Sequence, residues 1–113
     1  MGLAHLHRMG FAVAIANGLA TLLSAEDETV LTAGVVLERM DARERYTFIA
    51  GITEGLAAAR YAAERPATDG RACIYQWFYG EEETMGRIVH AFEHFADRLP
   101  GEIVLAMIQR RCP

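Results

Sequence analysis

The spacing of apolar side chains between Met85 and Leu99 constrains the fold of this chain more than any other feature. These side chains recur at i, i+3, i+4 and i+7, which places them on one face of an α-helix. They are Met85, Ile88, Val89, Phe92, Phe95, Ala96 and Leu99. The alternation of apolar and polar residues that is typical of strands is absent from the sequence. The sequence therefore predicts an all-α fold, in which a helix over 81–99 buries one face.

Three further helices complete a predicted small four-helix orthogonal bundle with one disulfide. A short helix follows Thr32, whose side chain can cap its first turn. A long helix begins at Asp41, because Asp41 and Glu44 fit a capping box, and it ends just before Pro66. The last helix lies near the end of the chain, and its predicted buried side chains are Ile103, Val104, Met107 and Ile108.

Two glycines, Gly51 and Gly55, lie inside the long helix and form a stripe of small residues. Each glycine inside a helix costs about 1 kcal/mol relative to alanine. We therefore expect a compensating close approach of another helix over this face. The same spacing occurs in membrane helix dimers, but Glu54 and the charges nearby argue against a membrane helix here. A bulky stripe lies beside the glycines and consists of Phe48, Ile52, Leu56 and Ala59.

The first 25 residues differ from the rest of the chain. Arg8 is the only formally charged residue before Glu26, and a mostly apolar stretch covers 9–25. A basic start, an apolar middle and a small final residue are typical of a secretory signal peptide, and the stretch is short for a membrane span of about 20 residues. We predict a signal peptide over 1–25, then a single helical domain over 26–113 with no stable membrane span, located in the periplasm or secreted. A buried N-terminal helix is the alternative.

The chain has two cysteines, Cys73 and Cys112, so only one intramolecular pairing exists. An oxidising compartment permits this disulfide, whereas in the cytosol the two residues would be buried thiols. The predictions of export and of a disulfide therefore depend on each other. The formal net charge of −4 argues against a nucleic-acid groove, which needs clustered positive charge. We expect no nucleic-acid partner.

Groups that could carry chemistry are few. His90 and His94 frame a His-x-x-Glu-His pattern, an inverted zinc-protease signature, and two histidines at i and i+4 can hold one metal ion. Both fall opposite the apolar face of their helix, so we expect a solvated polar surface; a surface metal is the alternative. Ser24 is the only serine and lies in the predicted signal peptide. The sequence therefore predicts no enzyme, no catalytic residue, no metal site and no cofactor.

An aromatic run over 75–79 is the most unusual local feature. We interpret it as one or two helical turns, with a single strand as the alternative. Consecutive side chains cannot all face one core, and tyrosine and tryptophan are common interface anchors. The glutamates that follow suit a basic partner or a helix start. The predicted partner-binding residues are Tyr75, Trp77, Tyr79, Glu81, Glu82 and Glu83; alternatively, the aromatic residues cap the bundle around the disulfide.

Two segments, YTFIAGITEGLAAARYAA and ACIYQWFYGEEETMGRIVHAFEHFADRLPGEIVLAMIQRRC, carry a family resemblance. The chain over about 31–112 resembles the Rap/Tai-type immunity proteins, whose architecture overlaps with that of periplasmic acid-stress chaperones of the Hde type. The matching positions, in order, are Gly51, Gly55, Cys73, Pro100 and Cys112.

The resemblance implies a secreted, helical, non-enzymatic protein, often a homodimer, that binds and neutralises an effector in the periplasm. We therefore expect a periplasmic immunity-type binding protein whose partner is a protein such as a toxin. A periplasmic acid-stress chaperone is the alternative. That alternative requires apolar surface to become exposed when carboxylates are protonated.

Overall fold

The computed structural model describes residues 30–113 of the chain, and Leu31–Pro113 form one compact unit. The predicted signal peptide over 1–25 lies outside the described residues. Within 30–113 the secondary structure is helical and contains no strand, which confirms the all-α prediction. No helix in this part of the chain is long and apolar enough to cross a membrane.

Five helices form this unit, where the sequence predicts four. They are α1 (Ala33–Arg39), α2 (Ala42–Glu64), α3 (Asp69–Gly80), α4 (Thr84–His94) and α5 (Pro100–Arg111). The additional helix is α3, because the aromatic segment forms a 12-residue helix that begins upstream at Asp69. Helix α3 packs along α2, α1 packs on α4, and α5 packs on both α2 and α4.

Polar groups in the sequence define where the first two helices begin, as predicted. The Thr32 hydroxyl accepts a hydrogen bond from the backbone N–H of Val35 at 3.4 Å. Asp41 and Glu44 form the full capping box, with N···O distances of 2.9 and 3.1 Å. These contacts pair amide groups that a helix N-terminus otherwise leaves without partners.

Helix α4 differs from the prediction at both ends. It begins at Thr84 rather than Glu81, where the buried Thr84 hydroxyl donates a 2.5 Å hydrogen bond to the backbone carbonyl of Trp77. It ends at His94, so Phe95 and Leu99, predicted to be buried, are 52% and 43% exposed. The chain leaves the helix there to reach α5, and the side chains beyond His94 no longer follow the buried face.

The connection between α4 and α5 holds the start of α1. The backbone N–H of Ala33 donates to the carbonyl of Arg98 at 2.8 Å, and that of Gly34 donates to the carbonyl of Ala96 at 2.9 Å. These bonds satisfy two of the free amides at the N-terminus of α1. A Cβ at Gly34 would lie 3.1 Å from both the Cβ and the carbonyl oxygen of Ala96, so glycine permits this close approach.

The core lies between the helices around the fully buried Phe92. Helix α2 contributes Ile49, Thr53 and Ala57, a stripe one position away from the predicted one. A threonine is tolerated there because its hydroxyl donates to the carbonyl of Ile49 at 2.9 Å, so this buried oxygen has a partner. The buried apolar residues are Ala33, Val36, Ile49, Ala57, Ile74, Trp77, Phe78, Ile88, Phe92, Ile103, Val104, Ile108 and Cys112.

The prediction that another helix packs closely on Gly51 and Gly55 is wrong for the described chain. Both glycines are exposed, and a Cβ built on either would meet no atom within 4 Å. The buried stripe of α2 lies on a different face of the helix. The close approach of α2 and α3 occurs instead at the buried Gly70, where a Cβ would collide with the side chains of Arg60 and Glu64.

The disulfide between Cys73 and Cys112 is present, which confirms that prediction. It joins α3 to the residue that follows α5, with the two Cα atoms 5.9 Å apart. Arg60 on α2 adds a polar clamp, because its guanidinium donates to the carbonyls of Cys112 at 2.8 Å and Pro113 at 3.1 Å. The end of α5 is therefore held to both α2 and α3.

Candidate functional site

The pairing of α2 with α3 brings three tyrosines together at the surface. Tyr46 comes from the second turn of α2, and Tyr75 and Tyr79 come from successive turns of α3. Tyr46 is 47% exposed and Tyr79 is 51% exposed, while Tyr75 is partly buried. We call these three residues, together with the exposed Glu54 of α2, the aromatic face.

The buried ring of Phe78 supports the aromatic face from below. The centroid of the Phe78 ring lies 5.9 Å from that of Tyr46 and 4.9 Å from that of Tyr79, the latter pair in an edge-to-face arrangement. The rings of Tyr75 and Tyr79 are 6.0 Å apart. These separations lie within the range of favourable aromatic pairs. The tyrosine rings are therefore held in place by one another and by the core.

A carboxylate borders the tyrosines. Desolvation of the Tyr79 hydroxyl raises its pKa above the ordinary value, and the negative charge of the nearby Glu54 carboxylate raises it further. A phenol is neutral at physiological pH and can donate a hydrogen bond, and this shift favours the neutral form further. Glu54 adds an acceptor and a negative charge beside exposed rings, a combination that suits a cationic side chain.

Trp77 does not belong to this surface, and its prediction as a partner-binding residue is wrong. Its side chain is 3% exposed and belongs to the core. Residues three and four positions apart on a helix share a face, so Trp77 lies on the same side of α3 as the buried Ile74, while Tyr75 and Tyr79 lie together elsewhere. The α3 helix thus divides the aromatic run between core and surface.

The three predicted glutamates are also divided. The Glu81 carboxylate forms a salt bridge with the guanidinium of Arg111 at 2.6 Å, close to the disulfide. This ion pair links the residue after α3 to the end of α5, so the Glu81 carboxylate is already paired within the chain. Glu82 and Glu83 are exposed and follow α3 in the connection to α4, where they remain accessible.

Tyr46 and Glu54 are members of the aromatic face that the sequence did not single out. They lie eight residues apart on α2, a spacing that places them about 80° apart around the helix. Such a spacing is common and carries no signal by itself. Only the packing of α3 against α2 shows that both residues lie beside the aromatic run.

Two other surface features lie outside the aromatic face. His90 and His94 are both exposed on α4, and their ring centroids are 4.7 Å apart. Among residues 30–113 no group of three or more histidine, cysteine or acidic side chains is placed to hold a metal ion. An open groove of about 440 Å³ lies between α4 and α5, and its lining includes Phe95, Ile103 and Met107.

Comparison with known proteins gives no relative on which to assign a function. No family model matches the chain, and neither a curated protein nor a solved structure matches it.

Proposed function

We propose that this chain is an exported, non-enzymatic binding protein of the immunity type. In this proposal it neutralises a secreted effector by docking on it through the aromatic face. The observation that carries the proposal is the convergence of Tyr46, Tyr75 and Tyr79 over the buried Phe78, beside the Glu54 carboxylate. The resemblance to the Rap/Tai-type immunity proteins supplies the biological role.

The arrangement of the rings favours binding to a protein. Tyrosine is enriched among the residues that dominate interface energies, because it buries a large ring with few rotatable bonds. Tyr75 and Tyr79 already pack on each other at 6.0 Å, and Tyr46 and Tyr79 pack on the buried Phe78 at 5.9 and 4.9 Å, so little side-chain freedom remains to be lost on binding. An ordered, half-exposed tyrosine cluster is thus prepared for an interface.

The charge of the surface indicates the chemistry of the partner. Glu54 lies beside the tyrosines, Glu82 and Glu83 are exposed, and the whole chain carries a formal net charge of −4. A lysine or arginine side chain of the effector can lie on a tyrosine ring and pair with Glu54. Complementary charge also accelerates encounter between the two proteins. We therefore expect the effector to present a basic surface.

Export to the periplasm is part of the proposal, and two features support it. The Cys73–Cys112 disulfide is of the kind that persists in oxidising compartments. The sequence over 1–25 has the pattern of a signal peptide. The resemblance also implies a homodimer. This remains a prediction, which sedimentation measurements on the purified chain would test.

The immunity role is tested by deleting the gene from the producing bacterium. We expect the deletion strain to be killed or arrested by contact with its parent, and the exported chain to restore resistance. A deletion strain that stays resistant to its parent, or one whose only defect is sensitivity to acid, would contradict the immunity role; the second result would favour the stress chaperone.

Complementation with variants then tests the aromatic face. Tyr46→Ala combined with Tyr79→Ala should fail to restore resistance, because truncation of a central interface residue typically costs about 2 kcal/mol or more, roughly 30-fold in affinity. Leu105→Ala is the matched control, since Leu105 is an exposed apolar residue of α5 outside the aromatic face. Resistance lost equally in both variants, or in neither, would place the interface elsewhere.

A further inference from the structure

We propose that His90 and His94 form an exchangeable site for a divalent transition-metal ion, best suited to Cu²⁺, in which the two imidazoles and water molecules are the ligands. This site is distinct from the aromatic face and from a zinc-enzyme centre. It lies on α4, whereas the tyrosines lie on α2 and α3.

The geometry of the two side chains suits a single ion. Residues at i and i+4 are neighbours on one helix face, and the ring centroids of His90 and His94 are 4.7 Å apart with the ring planes at 43°. Both residues are exposed, so an ion can reach them without any rearrangement of the core. Neither forms a salt bridge with another residue of the 30–113 segment.

The position on the helix adds to the attraction. His94 is the last residue of α4, where the carbonyl end of the helix carries partial negative charge and favours a cation. Glu93, between the two histidines, is exposed and contributes negative charge, which the exposed Arg87 three residues before His90 partly offsets.

The donor set selects the class of metal ion. Two neutral imidazoles with water are suited to Cu²⁺, Ni²⁺ and Zn²⁺, and copper binds most tightly in that series. Structural and catalytic zinc sites take three or four protein ligands, and no third candidate ligand is placed with these histidines in the described part of the chain. The site therefore exchanges its ion with the surroundings and holds no permanent metal.

A copper titration of the untagged, full chain tests the proposal. The other two histidines, His5 and His7, are first changed to alanine so that they cannot contribute. Titration with Cu²⁺ alone in a non-coordinating buffer should then show one ion per chain, and electron paramagnetic resonance should show two equivalent nitrogen ligands. His90→Ala or His94→Ala should each weaken Cu²⁺ binding about tenfold or more, because the second ligand no longer binds within the same molecule.

A relocated pair provides the control for geometry. Gly86 lies four residues before His90, is exposed, and a Cβ there would meet no atom within 4 Å. Gly86→His combined with His94→Ala should therefore recover the tight Cu²⁺ site one turn earlier on α4. Circular dichroism verifies that each variant is folded. Affinity that is unchanged by His90→Ala, or that the relocated pair does not recover, would overturn the proposal.

Discussion

Removal of the disulfide should destabilise this domain by about 4 kcal/mol. Cys73 and Cys112 are 39 positions apart, and closing a loop of that length lowers the entropy of the unfolded chain by an amount equivalent to about 4 kcal/mol in the loop-closure model. A domain of ordinary stability has only about 5–15 kcal/mol in total. The variant Cys73→Ala with Cys112→Ala should therefore be only marginally stable, even though its core contacts are nearly unchanged.

Urea denaturation followed by tryptophan fluorescence provides the assay. Trp77 is the only tryptophan and is buried, so its emission reports the loss of the core. We expect the midpoint of the variant to be far lower than that of the oxidised protein, and dithiothreitol to lower the midpoint of the wild type but not of the variant. In the variant, hydrogen exchange should be fastest in α5, because the disulfide no longer ties the end of this helix to α3. A loss of less than about 1 kcal/mol would show that closing this loop does not stabilise the domain as the loop-closure model predicts.

Two smaller sets of variants test the roles of the helix glycines and of the Asp41 cap. Gly55→Ala should stabilise the domain by about 0.5–1 kcal/mol in thermal melts, because Gly55 is exposed inside a helix; Gly34→Ala should destabilise it, because the added Cβ crowds Ala96. A melting temperature that falls for Gly55→Ala would contradict the expected stabilisation. The backbone N–H of Glu44 donates a hydrogen bond that lowers the pKa of the Asp41 carboxyl. The stabilisation that the ionised Asp41 carboxylate contributes should therefore be lost as the pH falls below about 4. The Asp41→Asn variant should not lose this stability between pH 7 and pH 3. The same pH dependence of stability in the variant and in the wild type would contradict the prediction.

The starts of α1 and α2 could be predicted from the sequence because local groups determine them. The Thr32 cap and the Asp41 capping box act within one or two turns of their own position. The disulfide could be predicted because two cysteines allow one pairing. The groups that cap each helix lie close to it in the chain, and the two cysteines have only one possible pairing.

The predictions that failed depended on contacts between distant segments. Helix α4 ends at His94, and in the connection that follows, the carbonyls of Ala96 and Arg98 accept hydrogen bonds from the first amides of α1. Apolar periodicity continues past that point and so overextends the helix. Gly51 and Gly55 illustrate the same limit, since helical spacing identifies a face but does not tell which face is buried.

The aromatic face was predicted only in part. Exposure of Tyr79 follows from the impossibility of burying every side chain of the run, but the same reasoning did not distinguish it from the buried Trp77. The contribution of Tyr46 and Glu54 required the pairing of α2 with α3. A site that two helices assemble becomes visible only when their packing is known.

The contribution of single groups within the aromatic face can be separated by conservative variants. Tyr79→Phe keeps the ring and removes the hydroxyl, so effector binding should fall far less than in Tyr79→Ala if the ring is the anchor. Glu54→Gln should slow association with a basic effector and weaken its dependence on salt, whereas the exposed Glu38→Gln on α1 should not. Equal effects of Glu54→Gln and Glu38→Gln would argue against the proposed ion pairing.

Site-specific photo-cross-linking in the exported protein tests directly whether the aromatic face contacts the effector. A photoreactive phenylalanine analogue replaces Tyr79 in one strain and Leu105 in a control strain, and both are irradiated while the effector is being delivered. We expect a covalent adduct with one secreted protein from position 79, lost when Tyr46→Ala is added, and none from position 105. An adduct from position 105 alone, or no adduct from position 79 while the strain remains resistant, would contradict it.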